Sequence, residues 1–126
     1  QHAGKESLAE SIVRNQLAVS ETPRMWKALG DLTNEPDHFK KSLELSKGRY
    51  SPAYVSLGSY YFAKGELQVS SDYYKKAVKV RPLDPTVWFR LGIISMQLGH
   101  WETALRAFTE VVHQEPEEGD AWGNVA

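Results

Sequence analysis

The stretch Val87–Ala126, VWFRLGIISMQLGHWETALRAFTEVVHQEPEEGDAWGNVA, sets Trp88 and Trp122 34 residues apart and follows each with a small residue at the same distance, Gly92 and Ala126. The spacing extends upstream. Tyr54, Trp88 and Trp122 share it, as do Leu57, Leu91 and Val125, and Gly58, Gly92 and Ala126. Gly65 pairs with Gly99, Tyr74 with Phe108, Ala77 with Val111 and Pro82 with Pro116. Chance composition does not keep so many positions in step, so the chain is a tandem repeat.

Each unit reads as two amphipathic helices. Tyr54, Leu57, Gly58 and Tyr61 fall on one face of a helix over Ser51 to Lys64, and Gly65 ends it. Ser70, Tyr74, Ala77 and Val78 share a face of a second helix over Leu67 to Val80. Arg81-Pro82 closes the unit, and Asp84-Pro85 opens the next as a cap followed by proline at the first helical position. Ser51-Pro52 and Thr22-Pro23 read as the same device. Gly58 and Gly92 sit in helix interiors, where glycine costs about 1 kcal/mol against alanine. That cost makes sense where two helices cross closely.

This pattern resembles the tetratricopeptide repeat. One unit reads Trp88, Leu91-Gly92, Ser95, Ala104, Phe108, Val111, Pro116, and the one before it Tyr54, Leu57-Gly58, Tyr61, Ser70, Tyr74, Ala77, Pro82. Ser95 and Ser70 depart from the motif, and both are small. The resemblance implies an all-α fold, an α–α superhelix of antiparallel helix pairs.

The first unit is irregular. It carries Trp26 and Leu29-Gly30, but Gly30 to Phe39 is 9 residues against 16 from Gly58 to Tyr74. About two helical turns are missing around a tight turn at Asn34-Glu35-Pro36. Upstream, ESLAESIVRNQLAVSE reads as the second helix of an earlier unit, with Leu8 and Ile12 (or Ala9 and Val13), then Gln16 and Leu17, on its packing face. The expected organisation is a remnant helix over 1–21, a shortened unit over 22–50, full units over 51–84 and 85–118, and the start of another over 119–126. Both ends read as cut, with Gln1 where a start would have Met. Exposed terminal repeats lack a capping neighbour. Fraying at both ends is therefore expected, or self-association that buries Trp122.

Arg14, Gln16-Leu17, Thr22-Pro23-Arg24 with Trp26, Leu29-Gly30-Asp31, the shortened hairpin, and Leu43-Glu44-Leu45-Ser46 with Arg49 resemble the central region of the tetratricopeptide repeat protein 27 family. That family includes a yeast protein named for maintenance of the cell wall. The resemblance covers roughly residues 8 to 126 and implies a fragment of a much longer eukaryotic protein. It also implies a role in cell-wall or growth maintenance and in helping other complexes assemble.

Little in the chain points to chemistry. There is no cysteine, which excludes disulfides and thiolate zinc sites and mildly favours the cytosol or nucleus. None of the four histidines pairs at i+3 or i+4. His38 beside Asp37 and Glu35 reads as a solvated turn, and Glu115, Glu117 and Glu118 as an acidic inter-repeat loop. No glycine-rich phosphate loop occurs. No enzyme activity and no cofactor or metal are expected. A net charge of −1 argues against nucleic acid, including the reading as an RNA-binding helical repeat, which needs a basic groove. No apolar run approaches the roughly 20 residues that span a bilayer.

By family register, the groove-facing positions are Arg24, Lys27 and Asp31 in the first unit. They are Pro52, Val55, Ser59 and Phe62 in the second, and Thr86, Phe89, Ile93 and Met96 in the third. One end of the expected groove is charged and the other apolar. Some family members hold the C-terminal carboxylate of chaperones with basic and amide side chains here. Asp31, Ser59 and Ile93 stand where such groups are needed and only Lys27 matches, so an EEVD-type C-terminus is not an expected ligand. The partners expected are other proteins, through a peptide or helix. The alternative is an internal segment of a longer solenoid with no ligand of its own.

Overall fold

A computed structural model describes residues 2–114. The expected start of a further unit at 119–126, Trp122 and the Glu115–Glu118 run lie outside the described residues.

Seven helices follow one another: α1 (His2–Val19), α2 (Pro23–Thr33), α3 (Pro36–Ser46), α4 (Ser51–Ala63), α5 (Leu67–Val80), α6 (Pro85–Leu98) and α7 (Trp101–Gln114). No strand occurs among the described residues. Each helix packs on its neighbours in the chain, and α2 also touches α4. That is the nearest-neighbour architecture of a solenoid. One core cluster runs through Tyr74, Ala77 and Val78 of α5, Trp88, Leu91 and Ile94 of α6, and Ala107 of α7. The core therefore crosses the boundary between units without a break.

The pairs α2–α3, α4–α5 and α6–α7 share one contact. A Cβ built on Gly30 would lie 2.6 Å from the Phe39 ring, on Gly58 2.9 Å from Tyr74, and on Gly92 2.8 Å from Phe108. The first helix offers a notch and the second fills it with a ring. The close crossing expected at Gly58 and Gly92 is present, and the filler is the partner helix's aromatic side chain.

This contact also explains the short unit. From Gly30 to the end of α2 is three residues, against five from Gly58 to the end of α4. From the start of α3 to Phe39 is three, against seven from the start of α5 to Tyr74. The loop is one residue shorter. Deletions on both sides of the turn leave ring and notch facing each other. Asn34, left-handed at φ 57°, makes that turn and returns its N–H to the Gly30 carbonyl.

Caps divide the expected proline devices. Met25 N donates to Thr22 Oγ1 at 3.1 Å, so Thr22 is a true cap. Asp84 precedes α6 without a side-chain cap bond. Ser51 is not a cap: α4 starts at Ser51 itself, and its hydroxyl turns inward to the Ala77 carbonyl at 3.3 Å. Of the two stripes the sequence left open on α1, the structure takes the second, and Gln16 falls outside it. Leu8 is 64 % and Ile12 59 % exposed, Gln16 is exposed, and Ala9, Val13 and Leu17 are half-buried. With α2 as the helix that α1 packs against, only the Ala9–Val13–Leu17 stripe is covered.

The two serine departures behave differently. Ser70 Oγ donates to the Gly58 carbonyl at 2.6 Å, tying the second helix to the notch of the first. Ser95 is fully buried with no partner for its hydroxyl. Ser70→Ala is expected to cost about 1 kcal/mol in urea unfolding, whereas Ser95→Ala is expected to be neutral or stabilising. Equal losses at both sites would contradict this. Gly92→Ala is expected to lose about 1 kcal/mol, because crowding by Phe108 outweighs alanine's helix preference. In a Phe108→Ala background the same change is expected to stabilise, and strict additivity of the two substitutions would refute the notch.

Candidate functional site

The first helices α2, α4 and α6 carry the positions that family register expects to face a groove, and recesses open between them. One is about 200 Å³, bounded by Ser59 and Phe62 of α4, Tyr74 of α5, and Phe89, Arg90, Ile93 and Ile94 of α6. Phe62 is 43 % and Phe89 50 % exposed. Phe89 keeps its place by standing edge-on to Phe108, ring centroids 5.7 Å apart. Small-molecule pockets run from roughly 300 to 1,000 Å³. This smaller recess suits one apolar side chain of a partner.

Its polar wall is built from the notch contact. The Tyr74 ring lies on Gly58, and its hydroxyl is 2.9 Å from Ser59 Oγ. Arg90 Nη1 reaches across from α6 and donates to the same Ser59 Oγ at 3.2 Å. One serine thus joins the core aromatic of one unit to a cation of the next.

A second recess, about 410 Å³, lies between α2 and α4 against Asp31, Asn34, Phe39, Val55, Ser59 and Tyr60. A third, about 250 Å³, gathers Lys27, Pro52, Val55, Arg81, Thr86 and Arg90 near the starts of α4 and α6. So Ser59, Phe62, Phe89 and Ile93 come together, Asp31 and Val55 line the neighbouring recess, and Lys27 and Val55 the next. Arg24 and Met96 are exposed but line none of the three.

Sequence reasoning missed Arg90, Tyr74, Asn34 and Tyr60. For Arg90 a signal existed: it follows Thr86 by four and precedes Ile93 by three, on the same helical face. The apolar end of the groove therefore carries a cation. At the charged end, Lys27 Nζ sits 2.8 Å from Asp31 Oδ2. The single clamp-like lysine already has a carboxylate. His38 also differs from a solvated turn. It is half-buried, its Nδ1 2.9 Å from Thr33 Oγ1 and its ring 5.8 Å from the Trp26 ring. Among the described residues no group of three or more His, Asp or Glu is placed to hold a metal ion. Among them, too, no helix is long and apolar enough to cross a membrane.

Stacked helix pairs with a continuous core and a recessed first-helix face define a helical-repeat solenoid of the protein-interaction class. The chain belongs to the tetratricopeptide repeat family, whose models match residues 51–82 and 85–118. Proteins of this family are generally non-catalytic scaffolds for protein–protein contacts. The chain is 32 % identical over 123 residues to the TPR repeat-containing protein C19B12.01 of Schizosaccharomyces pombe, covering 97 % of this chain and 15 % of that protein. It is 41 % identical over 95 residues to the tetratricopeptide repeat protein 27 homolog of Dictyostelium discoideum, covering 75 % and 11 %. It is 28 % identical over 131 residues to the essential for maintenance of the cell wall protein 1 of Saccharomyces cerevisiae, covering 98 % and 14 %. The chain thus spans about one-seventh or less of these relatives. Its fold is similar to the crystal structure of MamA, with a TM-score of 0.76 at 20 % identity, covering 91 % of this chain and 71 % of that one.

The Lys27–Asp31 pair carries a prediction. Calorimetry is expected to find no preference for a peptide ending in a free EEVD carboxylate over its C-terminal amide. A tenfold preference for the free acid would contradict this reading.

Proposed function

We propose that this segment is a docking platform. It takes an apolar side chain from a partner helix or extended peptide into the recess of Ser59, Phe62, Phe89 and Ile93. Arg90 at its wall offers donors to a neighbouring acceptor on the ligand. The observation that carries this reading is two half-exposed phenylalanines flanking an apolar recess of about 200 Å³ on one face. Isolated exposed apolar residues are ordinary on protein surfaces; a cluster around a recess supports a binding site. Within this reading residues 22–50, 51–84 and 85–118 act as three consecutive units. Arg24, Lys27, Asp31, Val55 and Met96 extend the contact surface along them. On the resemblance, the role is assembly or maturation of protein complexes in the cytosol or nucleus.

The second reading, an internal segment whose surfaces are covered by the rest of a longer solenoid, is favoured by one observation. Leu8 and Ile12 on α1, and Trp101 and Leu105 on α7, are exposed at opposite ends of the stack. The test uses the protein at its natural length with Phe89→Asp and Ile93→Asp, read by crosslinking and by recovery of associated proteins. Docking predicts at least tenfold lower recovery with an unchanged melting temperature. Unchanged recovery, or lost recovery with a lowered melting temperature, sinks docking in favour of the structural segment.

A further inference from the structure

α6 also lines a fourth recess, which shares no residue with the other three. It is about 460 Å³ and is shared by α5, α6 and α7. Its floor is apolar: Val78, Trp88 and Leu91, all buried. The Trp88 indole N–H is already engaged, donating to the Pro82 carbonyl at 2.6 Å, so the floor offers only carbon. Lys75 and Lys79 from α5 and Arg106 from α7 also line the opening.

Nothing on these helices is seen to neutralise those cations. Among the described residues, Lys75, Lys79 and Arg106 have no carboxylate within 4 Å. Two nearby carboxylates are bonded elsewhere: Asp72 accepts from Gln68 at 3.1 Å and Glu110 from Gln114 at 3.2 Å. Glu102 stands four residues before Arg106 on α7 without pairing to it. By contrast, Lys76 one position on is drawn over the Tyr73 ring, 5.5 Å from its centroid. Three like charges around one low-dielectric floor focus a positive potential on the opening.

The geometry points to this recess as a binding site for an acidic peptide segment of a partner protein, with glutamates or aspartates flanking one large apolar side chain. The apolar side chain enters the recess and meets the edges that Val78, Trp88 and Leu91 present to it. Its flanking carboxylates meet the two ammonium groups and the forked guanidinium of Arg106, which accepts a carboxylate through two parallel bonds. A nucleic-acid strand fits less well. The chain's net charge of −1 gives no basic track beyond these groups for a phosphate backbone to follow. A bare inorganic anion would leave the apolar floor uncovered.

The test is fluorescence anisotropy with the 126-residue chain and a labelled peptide bearing one phenylalanine between glutamate pairs. Binding is expected to weaken about tenfold or more in Lys79→Glu/Arg106→Glu, on replacing the peptide's glutamates by glutamines, and on raising salt. Phe89→Asp, on the other face of α6, is expected to leave it unchanged, which separates this site from the groove. The altered side chains are exposed, and the salt and peptide series need no protein variant. Equal affinity for the glutamine peptide, or insensitivity to charge reversal, overturns the proposal. So does binding that appears only after Glu115, Glu117 and Glu118 are changed to glutamine, which would assign the recess to the chain's own acidic run.

Discussion

The aromatic ring of each second helix lies in the glycine notch of the first. Phe39 on Gly30, Tyr74 on Gly58 and Phe108 on Gly92 fix how closely each pair approaches, and every other feature inherits that spacing. Glycine in a helix interior is locally unfavourable, and the short crossing repays it through dispersion and burial of a large ring. The same crossing brings Ser70 within reach of the Gly58 carbonyl. It also carries the Tyr74 hydroxyl out to Ser59, at the wall of the groove recess. Core contact and candidate site are two ends of one side chain.

The pairs stack because the second-helix face left free by one unit is covered by the first helix of the next. Val78 and Ala77 of α5 bury against Val87, Trp88 and Leu91 of α6. The inter-unit loop is fastened by one acceptor. The Pro82 carbonyl receives the Trp88 indole N–H and the Gln114 side-chain amide. Trp26 satisfies its own N–H differently, through Glu21 at 2.9 Å. The aromatic register repeats, while the polar partner is chosen locally.

How much of this was legible in the sequence follows from what kind of contact each feature is. The notch repeats at fixed spacing, so the 34-residue period revealed the helix pairs. The match of Phe39 with Tyr74 likewise revealed the shortened unit, because ring and glycine must still meet. Features set by a single neighbour left no periodic trace. Ser51 looks like a cap until the Ala77 carbonyl is beside it. Leu8–Ile12 and Ala9–Val13 are equally good packing stripes until α2 covers the second. Register put Phe62, Phe89, Ile93 and Met96 on one expected face, of which the first three line one recess; it could not tell that Lys27 is held by Asp31 or that Arg90 reaches Ser59. The basic recess was out of reach for the same reason: its cations come from helices about thirty residues apart, and only packing assembles them.

The composition of α6 makes both surfaces intelligible together. Its sequence, PTVWFRLGIISMQL, is apolar nearly all the way round, unlike that of α7, WETALRAFTEVVHQ, whose polar and apolar faces separate. A helix apolar on every side normally belongs in a core. Here α5 and α7 cover Val87, Trp88, Leu91, Ile94 and Ser95, and Phe89 and Met96 remain exposed. Phe89 sets one edge of its ring against Phe108, yet half of it stays exposed, and Arg90 shows that a polar residue fits on the same exposed side. The exposed part of Phe89 lies beside a recess, so the apolar surface that α6 leaves outside the core is gathered around a concavity, and the proposed docking builds on that arrangement.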